Sequence, residues 1–300
     1  MRRRYGFSVA SDVTLTEAMA QLKDAGAVSA DVLENGRVVG MLVAHASSSG
    51  KSSIDPSEEA FRLATDLHLA RKIHRQLLPR AAPRVPGLAI HGALHSAAGV
   101  GGDYWSAKFY AGDDRATLKL VDVTGHGIAA GILVPAVKYL SGGFYRGAPN
   151  PAWVMTRTNH SLVKETPVEM LVSMVYAWYN VSSRELEVVN AGHRPAFFVS
   201  GGEVIDIPST GPVLGLIEVE YESILHPLNP GDIFFTCSDG ITEARKDGIF
   251  FGEDRVKSIV LDHRRESAAR IAEAVLKSCD EFNRSRHDDR SLLVARALDL

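Results

Sequence analysis

The chain has 300 residues, 45% hydrophobic and 23% charged, with a formal charge of −3. These proportions belong to a globular protein with room for one sizeable core, and they exclude a disordered or fibrous chain. With no Lys/Arg stripe interleaved with aromatics there is no footprint for nucleic acid, and Cys237 and Cys279 alone make neither a disulfide framework nor a zinc cage. No apolar run reaches the roughly 18 residues of a membrane span, and the basic start MRRR has no apolar stretch behind it. A cytoplasmic protein without membrane contact is expected.

Residues 1–46 form a first small element. VTLTEAMAQLKDAGAVSADVLENGRVVGMLVAHA reads as a helix, a strand, a turn at Asn35-Gly36 and a second strand. The order resembles half of a cystathionine-synthase-type (CBS) sensory module, a family that pairs two halves around adenine nucleotides; a small cap or dimerisation element is the alternative. Residues 47–54, rich in serine, read as a linker. Their Gly50-Lys51 pair is no phosphate loop, because the glycine that motif needs is replaced by His45.

Residues 55–79 read as a connecting helix. Asp55 caps it, Pro56 takes the first helical position and Glu58 completes the capping box. Ala60, Leu63, Leu67, Ala70, His74 and Leu77 then recur at alternating steps of three and four up to Pro79. That seam suits a homodimer contact or packing on the helix's own domain equally.

From residue 80 to residue 300 strands predominate. LAIHGALH, TLKLVDV, EMLVSMVYAWYN, ELEVVNA, PAFFVS, EVIDI, YESILHPL, DIFFTCSD and SLLVARAL are rich in branched and aromatic residues and bounded by turn formers. Two helices are expected between Gly127 and Lys164, and two more between Asp254 and Asn283. Short turns between consecutive strands imply antiparallel pairing, and helices clustered in sequence imply separate layers. The expected fold class is α+β, an antiparallel β-sandwich flanked by helices, with a small N-terminal α/β element.

Aspartates stand where strands or glycine-rich turns end: Asp103, Asp122, Asp239, and the pair Asp288 and Asp289. An ionised carboxylate against apolar backbone must neutralise or find a cation, and oxygen donors without His or Cys suit Mg²⁺ or Mn²⁺. Each one alone reads more readily as a turn aspartate capping a nearby N–H.

Taken together, AGVGGDYW, LVDVTGHGIAA, NAGHRPAFF, STGPVLGL, CSDGITEA and HDDRSLLV resemble, in order and rough separation, the metal-dependent protein phosphatase family in its bacterial SpoIIE/RsbU branch, distant kin of the type 2C serine/threonine phosphatases. LARKIHRQLLP is similar to the helix that precedes the domain in that branch, where Gln commonly replaces His74. The resemblance implies two Mn²⁺ or Mg²⁺ ions bridged by Asp122, with the Val123 carbonyl beside it, Asp103 on one ion and Asp239 and Asp288 on the other. Two ions roughly 3.5 to 4 Å apart would generate hydroxide at neutral pH for in-line attack on a phosphoserine or phosphothreonine. The implied substrate is a phosphorylated anti-sigma-factor antagonist. His126 lies four residues beyond the bridging aspartate rather than two, so a general-acid role and a structural role at the turn both stand. His193 reads as a turn residue ordering the sheet edge. Ser106 replaces the second aspartate of the branch's Gly-Gly-Asp-x-x-Asp pattern.

Rival chemistries lack their spacing. Seven residues separate Cys237 from Arg245, and four separate Cys279 from Arg284, so neither makes a cysteine-phosphatase loop. There is no G-x-S-x-G elbow for a serine hydrolase. A catalytically silent pseudophosphatase that senses a ligand through its N-terminal segment and acts only by binding is one alternative, and a nucleotide-sensing module built on residues 1–50 is another.

Overall fold

A computed structural model gives the architecture of residues 7–10, 13–24, 29–34, 37–43, 56–79, 81–97, 99–125, 127–143, 145, 147–167, 169–284 and 288–299. The chain divides into two compact units, Met1–Ile73 and His74–Leu300. No helix among the described residues is long and apolar enough to cross a membrane.

In the first unit, β1 (Phe7–Ala10) pairs in parallel with β2 (Ser29–Glu34), which pairs antiparallel with β3 (Arg37–Val43). Helix α1 (Leu15–Asp24) joins β1 to β2, opened by Thr14 and Glu17 in a reciprocal capping box. The sequence reading missed β1, whose four residues are too few to show a period. The turn at Asn35-Gly36, the linker and the cap at Asp55 lie outside the described residues. Helix α2 (Pro56–Leu77) then begins at its proline. Of the expected seam, Leu67 and Ala70 are half-buried and His74 is buried, while the side chains of Ala60, Leu63 and Leu77 lie outside the description.

The second unit is a sandwich of two five-stranded antiparallel sheets, with a separate antiparallel pair formed by β13 (Arg245–Lys246) and β14 (Ile249–Phe250). One runs β11 (Ile224–Pro227), β8 (Glu185–Ala191), β7 (Val172–Asn180), β6 (Arg115–Val123), β5 (Tyr104–Tyr110). The other runs β10 (Glu203–Asp206), β9 (Ala196–Ser200), β12 (Ile233–Cys237), β15 (Arg290–Ala297), β4 (Leu88–His95). The inner faces meet through Leu118, Leu120, Val175, Val188, Phe198, Phe234 and Leu293. Helices α3 (Ile128–Gly143) and α4 (Pro151–Glu165) cover the first sheet through Val134, Val137, Val154 and Met155. Helices α6 (Glu253–Asp262) and α7 (Ala268–Phe282) cover the second through Val256, Ile271 and Val275. The result is the four-layered α+β sandwich that clustered helices implied.

Strand β7 is covered on both faces. Its apolar residues therefore run almost without alternation, as a doubly buried strand requires. Capping fixes two helix starts: Asn150 Oδ1 accepts from Trp153 N–H ahead of Pro151, and Ser267 accepts from Arg270 N–H.

Candidate metal and phosphate site

Four chain segments bring the acidic residues to one end of the sandwich. Asp122 lies in β6, one residue before its end and paired in register with Ser173 of β7. Val123 closes the strand, and its N–H reaches the Gly102 carbonyl, which brings the GVGGD turn and Asp103 alongside. Next, Thr124 is fastened to the segment leading into the neighbouring β7: its N–H meets the Leu171 carbonyl, and its hydroxyl donates to the Glu169 carbonyl while accepting from Leu171 N–H.

Asp239 corrects the sequence reading, which ran β12 through it. The strand ends at Cys237, Ser238 is the cap, and Asp239 opens the short helix α5 (Asp239–Thr242). Asp288 and Asp289 likewise precede β15 rather than end a strand. Ser238 N–H donates to the Ser291 carbonyl, and Ser291 N–H returns to Ser238 Oγ, which clamps the two segments together.

Two glycines permit this convergence. A Cβ at Gly240 would lie 1.9 Å from the Asp289 carbonyl oxygen, and one at Gly101 would lie 1.4 Å from Asp289 Oδ2. At Gly240 the obstacle is backbone, whereas at Gly101 a larger residue would have to displace the Asp289 carboxylate.

Asp122, Asp239 and Asp288 line one cleft with Thr124, Ser173, His193 and Arg194. Asp103 lies behind them, 3% exposed, with Oδ2 buried and lacking any hydrogen-bond partner among the described residues. Burial pushes its carboxyl well above the carboxylate range; the charges of Asp289 and Asp239 add to this, and the nearby Ser238 and Ser291 hydroxyls only ease it. Asp122 is raised likewise, first by burial and then by Asp103, Asp239, Asp288 and Asp289. Asp239 reaches solvent, yet partial desolvation and Glu243 still raise it, opposed by the Gly240 N–H and a bond shared with Asp122. Asp289 is 6% exposed, with Oδ1 accepting from Ala97 N–H. Asp288 lines the cleft, and the charges of both Asp288 and Asp289 reach Asp122.

This donor set fits a cation. Acidic charge is concentrated with a buried, unpartnered oxygen at its centre, and neither Asp103 nor Asp122 meets a Lys or Arg among the described residues. The donors are carboxylates and a backbone carbonyl, the preference of hard divalent ions. Among the described residues no three acidic, His or Cys side chains form a ready-made cage.

His193 is buried, and its Nε2 meets the Cys237 carbonyl at 3.0 Å. A carbonyl only accepts, so Nε2 carries the proton and Nδ1 accepts from Ser173 Oγ at 2.7 Å. His126 lies outside the described residues. Sequence reasoning missed the Ser238 and Ser291 hydroxyls, Ser173 and Arg194. Only pairing across the fold brings them here, so no local signal marks them.

The family model for Stage II sporulation protein E (SpoIIE) matches residues 112–298. The chain belongs to the SpoIIE family. A curated relative, phosphoserine phosphatase RsbU of Bacillus subtilis, is 25% identical over 238 residues, covering 78% of this chain and 70% of the relative. The SiaA-PP2C domain of Pseudomonas aeruginosa superposes with a TM-score of 0.71 at 21% identity, over 80% of this chain and 99% of that domain. The PP2C phosphatase domain of Bacillus subtilis SpoIIE, solved with a fragment of its regulatory domain, gives 0.62 at 19% identity, over 72% and 64%. These likenesses establish a PP2C fold for this SpoIIE-family chain, and the family match spans the segments that carry Asp122, Asp239 and Asp288.

Proposed function

We propose that the protein is a metal-dependent serine/threonine protein phosphatase acting on a phosphorylated regulatory protein of the anti-sigma-factor-antagonist type. The observation that carries this reading is the carboxylate cluster, buried and self-repelling around Asp122 at the mouth of a PP2C fold. Its substrate side is supported by SpoIIE-family membership and by the likeness to a relative named a phosphoserine phosphatase.

Asp103, Asp122, Asp239, Asp288 and the Val123 carbonyl would hold two Mn²⁺ or Mg²⁺ ions. Such ions, when bound, supply positive charge that makes water nucleophilic at neutral pH and offsets charge on the phosphoryl group. The residues of this chain position the groups around them. The Ser238–Ser291 clamp fixes Asp239 relative to Asp288, and the neutral His193 holds the turn beneath the cleft in register with Ser173. His126 is the candidate proton donor to the leaving serine oxygen. Loss of such a donor slows release of a poor leaving group far more than an aryl oxide.

The deciding experiment is phosphate release from an aryl phosphate and a phosphoserine peptide with Mn²⁺, Mg²⁺ or EDTA, comparing the wild type with Asp122→Asn and Asp239→Asn. Metal-dependent turnover lost in both variants is expected. Absent turnover together with absent metal binding by calorimetry would sink the enzyme reading in favour of a silent binding module. His126→Ala should then slow only the peptide. Self-association through residues 55–79 is checked by sedimentation.

A further inference from the structure

Three carboxylates line the cleft, and the substrate proposed for it is itself a dianion. Among the described residues lining that cleft, Arg194 is the one Lys or Arg. Its backbone is held on both sides. His193 before it is fixed by Ser173 and the Cys237 carbonyl, and the carbonyl of Pro195 after it accepts from Cys237 N–H and Thr236 Oγ. Its side chain, by contrast, is 72% exposed.

One edge of the guanidinium is tethered. Nε lies 3.5 Å from Glu253 Oε1 at the start of α6, and Lys257 one turn on meets both Glu253, at 3.7 Å, and Asp206, at 2.7 Å. An exposed ion pair of this kind is worth at most about 1 kcal/mol, so Glu253 orients Arg194 without saturating it. Among the described residues only Nε has a partner, which leaves the Nη end, whose planar fork matches two oxygens of a phosphoryl group.

We infer that Arg194 is the anion-recognition residue of this site, donating its Nη N–H groups to the phosphoryl oxygens of the phosphoprotein. The inference rests on the phosphatase reading and adds to it a contact that recognises the substrate and holds no ion.

The test uses the full chain with Mn²⁺ and the variants Arg194→Ala, Arg194→Lys and Glu253→Gln. The readouts are kcat and KM on an aryl phosphate and a phosphoserine peptide, and competitive inhibition by inorganic phosphate. Arg194→Ala should raise both KM values and the phosphate inhibition constant about tenfold, with kcat changed less than about threefold, the pattern of lost ground-state binding. Lysine should restore part of the loss as a point charge, and Glu253→Gln should produce a smaller rise. A KM change confined to the peptide would overturn the inference, since it would place Arg194 on a carboxylate elsewhere in the substrate; unchanged constants would overturn it too. If the wild type shows no turnover, the phosphatase reading fails separately. Calorimetry with inorganic phosphate still decides on Arg194, because equal affinity of wild type and Arg194→Ala would exclude the contact.

Discussion

Ser173 donates its hydroxyl proton to His193 Nδ1 across 2.7 Å, and this bond fixes a neutral imidazole beneath the acidic cleft. Burial holds the pKa of His193 down at about 4, against an ordinary value of 6.5. The unfolded chain takes up a proton near 6.5, whereas the folded chain takes it only near 4. Between those values the unfolded state binds more protons, so stability is full above about pH 6.5 and falls as the pH drops toward 4, by on the order of 3 kcal/mol. Because the raised carboxyls of Asp103, Asp122 and Asp239 act in the opposite direction, the loss is read as the difference in urea stability between wild type and His193→Gln, which should fall from pH 7 to 4. At pH 7, Ser173→Ala should cost about 1–3 kcal/mol by stranding Nδ1.

The carboxylate cluster predicts opposite effects with and without divalent ions. Asp122 and Asp103 are raised by burial and by neighbouring acids, so one unit of negative charge is a burden to the metal-free fold. Asp122→Asn should therefore raise the Tm measured in EDTA. The same variant should lose the upward Tm shift that millimolar Mn²⁺ gives the wild type, because stabilisation by a ligand follows its affinity for the folded state. A metal-induced shift of the same size in the variant would remove Asp122 from the ion site.

The sequence carried the architecture wherever a strand had enough residues to show its pattern. Strands β6, β7, β8, β12 and β15 are apolar, branched or aromatic, and bounded by turn residues, and they were legible. Strand β5 was not, and its segment YWSAKFY is absent from the expected strands. Asp103, Asp122, Asp239 and Asp288 were legible as acids beside apolar strands. The scaffold that brings them together was not, because Ser238 meets Ser291 and Ser173 meets His193 only after distant strands pair. Arg194 stood unremarked inside the NAGHRP motif, since only the folded cleft shows that it is the one Lys or Arg among the described lining residues.

Gly240 and Gly101 should fail as alanine for different reasons. A Cβ at Gly240 would overlap backbone, the Asp289 carbonyl at 1.9 Å, and backbone has little freedom to move. At Gly101 the overlap is with the Asp289 carboxylate, which can swing away at the cost of its bond from Ala97 N–H. Overpacking of this kind costs about 1–3 kcal/mol or more. Gly240→Ala should therefore lower the urea midpoint more than Gly101→Ala. Gly101→Ala should mainly weaken Mn²⁺ affinity by calorimetry. The reverse order would show that the Asp289 carboxylate is the more rigid of the two neighbours.

Lys119 is buried between β6 and α3 with no carboxylate partner among the described residues. Its Nζ donates to Ser141 Oγ at 2.8 Å and lies 5.3 Å from the centre of the Tyr176 ring. Burial, then the charges of Lys108 and Lys138, push its pKa down to about 7 from 10.5. Between pH 7 and 10.5 the unfolded lysine holds a proton that the folded one has released, so the fold gains stability as the pH rises through that window. Methionine keeps the stem's volume without the charge, and Ser141 retains its own bond to the Val137 carbonyl. Lys119→Met should thus stabilise the fold by on the order of 2 kcal/mol at pH 7, and its advantage should shrink steadily toward pH 10 in denaturant titrations. A destabilised variant with an unchanged pH profile would mean that the bond to Ser141 and the contact with Tyr176 outweigh the cost of burying the ammonium.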